Sequence, residues 1–351
     1  MYNSLRLNPY IWDLFTKKEE YSPSILDKHH RFTYSFSNHK NVLEPEVSKY
    51  LVNNRLHVEY PGKKKFAVCL THDIDEIYPP LSHIILSSIC DIKNFDLYRA
   101  MNQFLWISKG QNYSPYINFK EIMDLEEKYN AKSSFYFITS ENDPLRFRYN
   151  IEDVKVELGN IIDRGFEVGL HGGYYSYNNL EAICKEKKKL ECTIGRKVFG
   201  YRNHYLRFSV PNSWELLSKA GFKYDSTFGY SDMVGFRNGM CHPFIPYNLN
   251  KNCHVDILEI PLTIMDLTLF GCTKSFYEAW TYAKKLIDSV EKCNGVITLL
   301  WHNNIFSSSY REKWKFMYEK ILRYCFGKNA WMTSGEDIYN WWENGYKNSS
   351  Y

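Results

Sequence analysis

The chain has 351 residues, of which 44% are hydrophobic and 24% charged, with a formal net charge of +4. That length and apolar content fit one large domain or two ordinary ones around a real core, and exclude a disordered or fibrous chain. The mild positive charge is spread along the sequence, so no nucleic-acid partner is expected, and no run approaches the ~18 apolar residues of a membrane span.

Residues 1–62 read as an irregular, polar N-terminal extension that ends in Tyr60-Pro-Gly-Lys-Lys-Lys65 and packs on a main domain of residues 63–351. Its start, Met1-Tyr-Asn-Ser-Leu-Arg-Leu-Asn8, has no long apolar run, so no signal peptide is expected. From Phe66 onward strands and helices alternate. Apolar runs predict strands at 66–71, 133–139, 166–171, 197–201, 257–264 and 296–301, a weaker one at 222–225 and a short one at 330–333. Helices are predicted at 117–130, 151–164, 179–194, 211–220, 274–293 and 310–325. Gly165, Gly195, Gly221 and Gly295 each follow a helical stretch as C-cap candidates. Pro211 suits a helix start, and Ser334-Gly-Glu-Asp337 has the form of a capping box. The segment 79–115 is too long for a strand-to-helix loop and reads as a partly helical insertion beside the site. Repeated βα units give an α/β class with a mostly parallel sheet, open or closed into a barrel.

The nine cysteines form no Cys-x-x-Cys pair, and several lie in or beside apolar segments. Free, reduced thiols are the simplest account, and they point to a cytoplasmic location. Aromatic content of 17% is high; such rings line glycan-binding grooves, although a core uses most of them. The run Lys185-Glu-Lys-Lys-Lys189 reads as a solvated helix face.

The chemistry gathers at strand ends, where α/β folds build their sites. Phe66-Ala-Val-Cys-Leu-Thr-His-Asp-Ile-Asp75 ends in two aspartates. Extended backbone puts Asp73 and Asp75 on one face and His72 and Ile74 on the other. Two such carboxylates repel unless a cation or a shared proton intervenes. The next end carries His171-Gly-Gly-Tyr-Tyr-Ser-Tyr177, where His171 is a metal ligand, a base or a satisfied core histidine. The glycines there permit close backbone approach to a ligand or a sharp turn. Then come Gly200-Tyr-Arg202-Asn-His204-Tyr205, Glu259-Ile-Pro-Leu-Thr-Ile-Met-Asp266 and Leu299-Leu-Trp-His302-Asn-Asn304. Arg202 at the mouth of a sheet can hold a carboxylate ionised, or form a surface ion pair. No Gly-x-Gly-x-x-Gly, Walker or Gly-x-Ser-x-Gly sequence occurs, which disfavours nucleotide cradling and a serine nucleophile. What remains is an Asp/His set suited to one divalent metal, one base and one acid, as in metal-assisted hydrolysis of an acyl bond.

In this order the elements resemble the polysaccharide deacetylases, the NodB-homology group called carbohydrate esterase family 4, over roughly residues 64 to 345. The resemblance implies a distorted (β/α) barrel with its site at the strand C-termini. It assigns Asp73 as base and Asp75 as metal ligand, through an Asp-x-Asp variant of the first motif. His171 matches the first histidine of a His-x-x-x-His motif, but Tyr175 stands in place of the second. The family's Arg-x-Pro-Tyr motif reads Arg202-Asn203-His204-Tyr205 here, and its Leu-x-His reads Leu300-Trp301-His302. The two departures suggest that His204 replaces the missing ligand, giving an Asp75, His171, His204 set for a Zn²⁺-like ion. The alternatives are Tyr175, His242 of Gly239-Met-Cys-His242-Pro, or a weak or absent metal.

The expected activity is metal-dependent removal of an acetyl group from an acetylated sugar, oligosaccharide or polysaccharide precursor. Arg202 fixes Asp73, the Tyr205 N–H meets the oxyanion, His302 protonates the leaving group, and Asp266, or else Glu259, orients a charged side chain. Rival readings are an amidohydrolase acting on a small non-glycan amide and a metal-free glycan-binding protein. The acetylated carbohydrate is the one partner expected, with no oligomeric state implied. Surface-polysaccharide precursor or nucleotide-sugar chemistry inside a bacterial cell is the expected setting.

Overall fold

Phe66-Ala-Val-Cys-Leu70 carries no charged side chain, and this run begins the central strand of the computed structural model, which describes residues 2–110 and 113–346. Strand β1 (Ala67–Ile74) is buried along its whole length. It extends past the run because Thr71–Ile74 bond to Ser134–Phe137 of β2 (Ser134–Ile138). The remaining strands are β3 (Glu167–Gly172), β4 (Gly200–Asn203), β5 (Tyr224–Asp225), β6 (Tyr247–Asn248), β7 (Cys253–His254), β8 (Leu258–Glu259), β9 (Ile264–Met265), β10 (Val296–Leu300) and β11 (Trp331–Thr333).

Nine of them form one parallel sheet in the order β8-β5-β4-β3-β2-β1-β10-β9, with β11 also on β1. On one side β1 pairs with β10; on the other it pairs first with β11, through Ala67–Cys69, and then with β2. The expected strand at 257–264 is broken in two. β8 bonds to β5 at one edge, β9 bonds to β10 at the other, and the intervening Thr263 N–H donates to the Thr298 carbonyl. The segment Leu258–Met265 thus joins both edges of the curled sheet. This is the expected distorted (β/α) barrel, and the C-termini of its nine parallel strands lie at one end, while β6 and β7 form a separate antiparallel pair.

Each of the six expected helices is present within a few residues, at Phe119–Glu127, Lys155–Asp163, Leu180–Ile194, Asn212–Lys219, Phe276–Cys293 and Glu312–Gly327. Gly195 (φ 70) ends its helix in the left-handed conformation. Gly295 does not, because Asn294 (φ 50) takes that role. Glycine is required at 295 for space, since a Cβ there would lie 2.5 Å from Cys241 Sγ and 2.7 Å from its carbonyl oxygen. Ser334 caps the last helix by accepting from the Asp337 N–H.

Residues 2–62 are more ordered than the sequence suggests. They hold helices Tyr2–Arg6, Pro9–Thr16 and Glu46–Asn53, each eight residues or fewer and too short for a clear period. Leu14, Phe15, Val47 and Leu51 join the main core, and Glu20 forms a buried two-point ion pair with Arg237. The expected insertion at 79–115 contains helices Leu81–Lys93 and Leu97–Lys109; residues 111 and 112 lie outside the described ones. No described helix is long and apolar enough to cross a membrane.

Candidate metal and acid–base centre

The alternation of β1 separates two sets of polar groups. His72 turns into the core, where its ring nitrogens meet the Trp301 carbonyl at 2.7 Å and Glu126 at 2.8 Å. Asp73 and Asp75 face the barrel mouth, around a cavity of about 360 Å³.

Asp75, His171 and His204 each offer a ligand atom, and these atoms lie within 4.8 Å of one another. His171, at the end of β3, has Nδ1 2.9 Å from the Arg202 carbonyl. A carbonyl only accepts, so Nδ1 carries the hydrogen, and in the neutral ring Nε2 is a lone pair. That Nε2 points at Asp75 Oδ1 from 3.1 Å. Two acceptors at that distance require positive charge between them, as a proton or a metal ion. His204 follows β4 in a tight turn, with Nε2 3.6 Å from Asp75 Oδ2 and Nδ1 3.2 Å from Asp143 Oδ2. A histidine held from behind by a carboxylate is the arrangement that fixes a metal-binding tautomer. One carboxylate and two imidazoles, from the ends of three different strands and within 4.8 Å of one another, fit a divalent ion with open positions for water and substrate.

The charges respond to each other. Burial would raise the Asp75 pKa, but His204 and His171 outweigh it and hold the carboxyl well below its usual range. Burial would lower that of His204, yet Asp75 and Asp143 raise it. Asp143 drops to about 2, because its contacts with His204 and Arg148 exceed the cost of burial.

Asp73 is almost fully buried, and its Oδ1 has no hydrogen-bond donor among the described residues. Arg202 Nη1 approaches that oxygen to 3.7 Å, while Nη2 donates to Thr71 Oγ1 and Ser226 Oγ. Arg202 therefore supplies Asp73 with a nearby charge rather than a two-point grip. Across the cavity, His302 sits at the end of β10 with Nδ1 2.8 Å from Asp266 Oδ1 and Nε2 3.9 Å from Asp75 Oδ2. Burial would lower the His302 pKa, but Asp266, with smaller contributions from Asp75 and Asp73, raises it to about 10, which favours the imidazolium.

Other expected residues lie elsewhere. Tyr175 is 52% exposed and does not line the cavity. His242 is buried with both nitrogens engaged, by Ser48 Oγ at 2.9 Å and the Cys293 carbonyl at 3.1 Å. Neither can be the third ligand. Glu259 accepts from Trp214 Nε1 and faces Asp225 in the core, so Asp266 is the acid that meets His302. Gly172 and Gly173 make room for protein rather than ligand: Cβ atoms there would strike the Tyr201 ring and Ser140.

Three charged or titratable residues of the cavity wall, His29, Arg31 and Arg148, escaped sequence reasoning, as did Asp143, which stands behind His204. Asp143 and Arg148 come from the loop after β2, a polar strand end marked by Asn142-Asp143-Pro144. His29 and Arg31 come from the N-terminal segment, which offered no pattern to read. Arg31 Nη1 donates to the Tyr205 carbonyl, and His29 packs on the Tyr205 ring at 4.8 Å. Tyr205 itself has φ 62, a left-handed turn in the cavity wall beside His204.

No family model matches the chain. The peptidoglycan deacetylase of Helicobacter pylori is 29% identical over 133 residues, covering 32% of this chain and 44% of that protein. The chain thus aligns with less than half the length of that relative. A crystal structure from Mycobacterium smegmatis, assigned to the polysaccharide deacetylases, superposes with a TM-score of 0.54 at 16% identity, over 81% of this chain and 92% of its own. Peptidoglycan deacetylase PdaC from Bacillus subtilis is more distant, with a TM-score of 0.37 at 14% identity over 80% and 92% of the two chains. The resemblance to the polysaccharide deacetylases holds in sequence over part of the chain and in fold over most of it.

Proposed function

We propose that this chain, which shares the fold of the polysaccharide deacetylases, removes an acetyl group from an acetylated sugar unit of a glycan or glycan precursor, with a divalent metal ion as cofactor. The observation that carries this reading is the convergence of Asp75, His171 and His204, with the far nitrogen of each imidazole backed by a second group, the Arg202 carbonyl and Asp143. Zn²⁺ suits this ligand set. A divalent ion held there supplies Lewis-acid polarisation of an acyl carbonyl and a lowered pKa for water.

The chain's own groups complete the hydrolysis. Asp73, with Arg202 Nη1 3.7 Å from its Oδ1, accepts the proton of the attacking water at a carboxylate oxygen. The Tyr205 N–H is assigned to the developing oxyanion, a role worth about 2.7–4 kcal/mol. Asp266 holds Nδ1 of His302 and favours its imidazolium, so the Nε2–H is the proton offered to the departing nitrogen or oxygen. Acetate and a free amine or hydroxyl on the sugar are the products. All nine cysteines are unpaired, which supports a reaction in the reducing cytoplasm.

The test is acetate release from N-acetylated and O-acetylated sugars and oligosaccharides by purified, metal-loaded protein, with small non-glycan amides as comparison. Turnover on the sugars, falling on the order of 10²-fold or more in Asp73→Asn while bound metal is retained, is expected. Loaded metal with no acetate from any acetylated sugar overturns the reading.

A further inference from the structure

The helical hairpin that follows β1 is built inside out. Along Leu81–Lys93 the polar residues His83, Ser87, Ser88 and Asp91 are buried. His83 lies within hydrogen-bonding distance of Tyr310 OH at 3.2 Å, and Ser87 Oγ lies 3.3 Å from the other ring nitrogen. The exposed face of the same helix carries Leu81, Ile85, Leu86, Ile89 and Ile92. The second helix continues that face with Leu97, Met101 and Phe104, and Phe95, at the turn between them, is 93% exposed. A helix on a water-soluble surface has the reverse pattern, and a contiguous apolar face of this extent marks an interaction site.

The charges around the hairpin indicate the partner. Lys93 at the tip is exposed, as is Lys313 on the adjoining helix, with Arg311 and Lys315 half-buried beside it. The basic groups nearby, Lys93, Arg99, Arg311, Lys313 and Lys315, outnumber the acidic ones, Asp91, Asp96, Glu121 and Glu312. Asp96 accepts from the Arg99 N–H at 2.9 Å, Asp91 and Glu312 face Arg99 at 3.7 and 3.8 Å, and no other acid interrupts the exposed face between Leu81 and Phe104. An apolar wedge edged by lysines complements the acyl and anionic headgroup layers of a bilayer, and with no described helix able to cross, such a wedge lies in the interface.

We propose that the hairpin Leu81–Lys109 docks the protein on an anionic membrane surface. The hairpin is tied to the site at its base, where Asn303 Nδ2 donates to the Glu76 and Tyr116 carbonyls and Ser114 Oγ to the Ile77 carbonyl. Docking therefore holds the cavity beside the lipid surface, where a membrane-borne glycan is the substrate within reach. The surface binding itself is independent of the deacetylase assignment.

Co-sedimentation of the full chain with phosphatidylcholine vesicles, and with vesicles of mixed phosphatidylcholine and phosphatidylglycerol, tests it. Binding is expected on the mixed vesicles and weaker binding on the neutral ones. The double variant Ile85→Glu/Ile89→Glu is expected to lose affinity on the order of tenfold or more, and Lys93→Glu/Lys313→Glu to lose the preference for anionic lipid. Thermal midpoint and turnover of a water-soluble substrate should stay unchanged, because these residues are outside the site. If the double variant fails to fold, Phe95→Ser at the exposed turn carries the same test. Absence of binding to either vesicle, or binding that ignores the apolar substitutions, overturns the proposal. So does a dimer, seen by sedimentation velocity, that dissolves in the double variant without vesicle binding, which would assign the face to a second copy of the chain.

Discussion

His204 occupies the place where the related motif has proline, and its neighbours explain how it can serve there. Asp143 holds one ring nitrogen while the other faces Asp75. His204→Ala should weaken metal binding by more than about tenfold, Asp143→Asn by about tenfold, and His242→Ala not at all. A metal titration on the three variants distinguishes these outcomes. Intact affinity in His204→Ala would remove it from the ligand set. The same residue scale governs pH. Glu186 is buried under the His171 loop, accepting from the Gly173 N–H and Ser176 hydroxyl, and burial pushes its pKa from 4.5 up to about 7. Its folded pKa exceeds its unfolded one, so its contribution to stability is complete below about 4.5 and is lost as pH rises through about 7. Denaturation at pH 5 and pH 8 should show Glu186→Gln flattening that dependence, which is on the order of 2–3 kcal/mol. An unchanged difference between the two pH values would refute it.

Helices and strands announce themselves through periodicity, and sequence and structure agree to the extent that each element carries that signal. The eighteen residues of Phe276–Cys293 fill five turns with one apolar stripe, and they stand where expected. The broken strand Leu258–Met265 was invisible as two pieces, because each piece is two residues long and the apolar run is continuous. The glycine ending at residue 295 shows the same limit. Sequence offers a C-cap, whereas the structure needs an absent side chain against Cys241. Gly295→Ala should cost about 1–3 kcal/mol through overpacking, read as a shift in the denaturant midpoint. A neutral result would mean that the Cys241 segment yields.

For the whole molecule, the N-terminal segment is part of the fold rather than an appendage. Its short helices complete the core, Glu20 neutralises the buried Arg237, and His29 and Arg31 wall the cavity. Glu20→Gln leaves a buried guanidinium without its counter-charge, and such a break costs about 3–5 kcal/mol. Equilibrium unfolding should show that loss even though Glu20 is remote from Asp75, His171 and His204. Stability within about 1 kcal/mol of the parent chain would mean that water or Tyr230 takes over the charge.

The sequence by itself determined the class of fold and the stock of chemistry. Alternating apolar runs specify strands and helices, and polar residues at strand ends are legible because a parallel barrel brings all of those ends to one rim. Asp73, Asp75, His171, His204 and His302 were available from that rule alone. Tertiary structure decided which of them meet and what stands behind them. In the sequence His204 is the favoured third ligand, with Tyr175 and His242 as alternatives. Only the path of the chain turned Tyr175 outward, engaged both nitrogens of His242, and set His204 between Asp75 and Asp143. Contacts such as Asp143 with His204, or Glu20 with Arg237, join residues 61 and 217 positions apart. Local periodicity carries no information at that range, and packing alone fixes them.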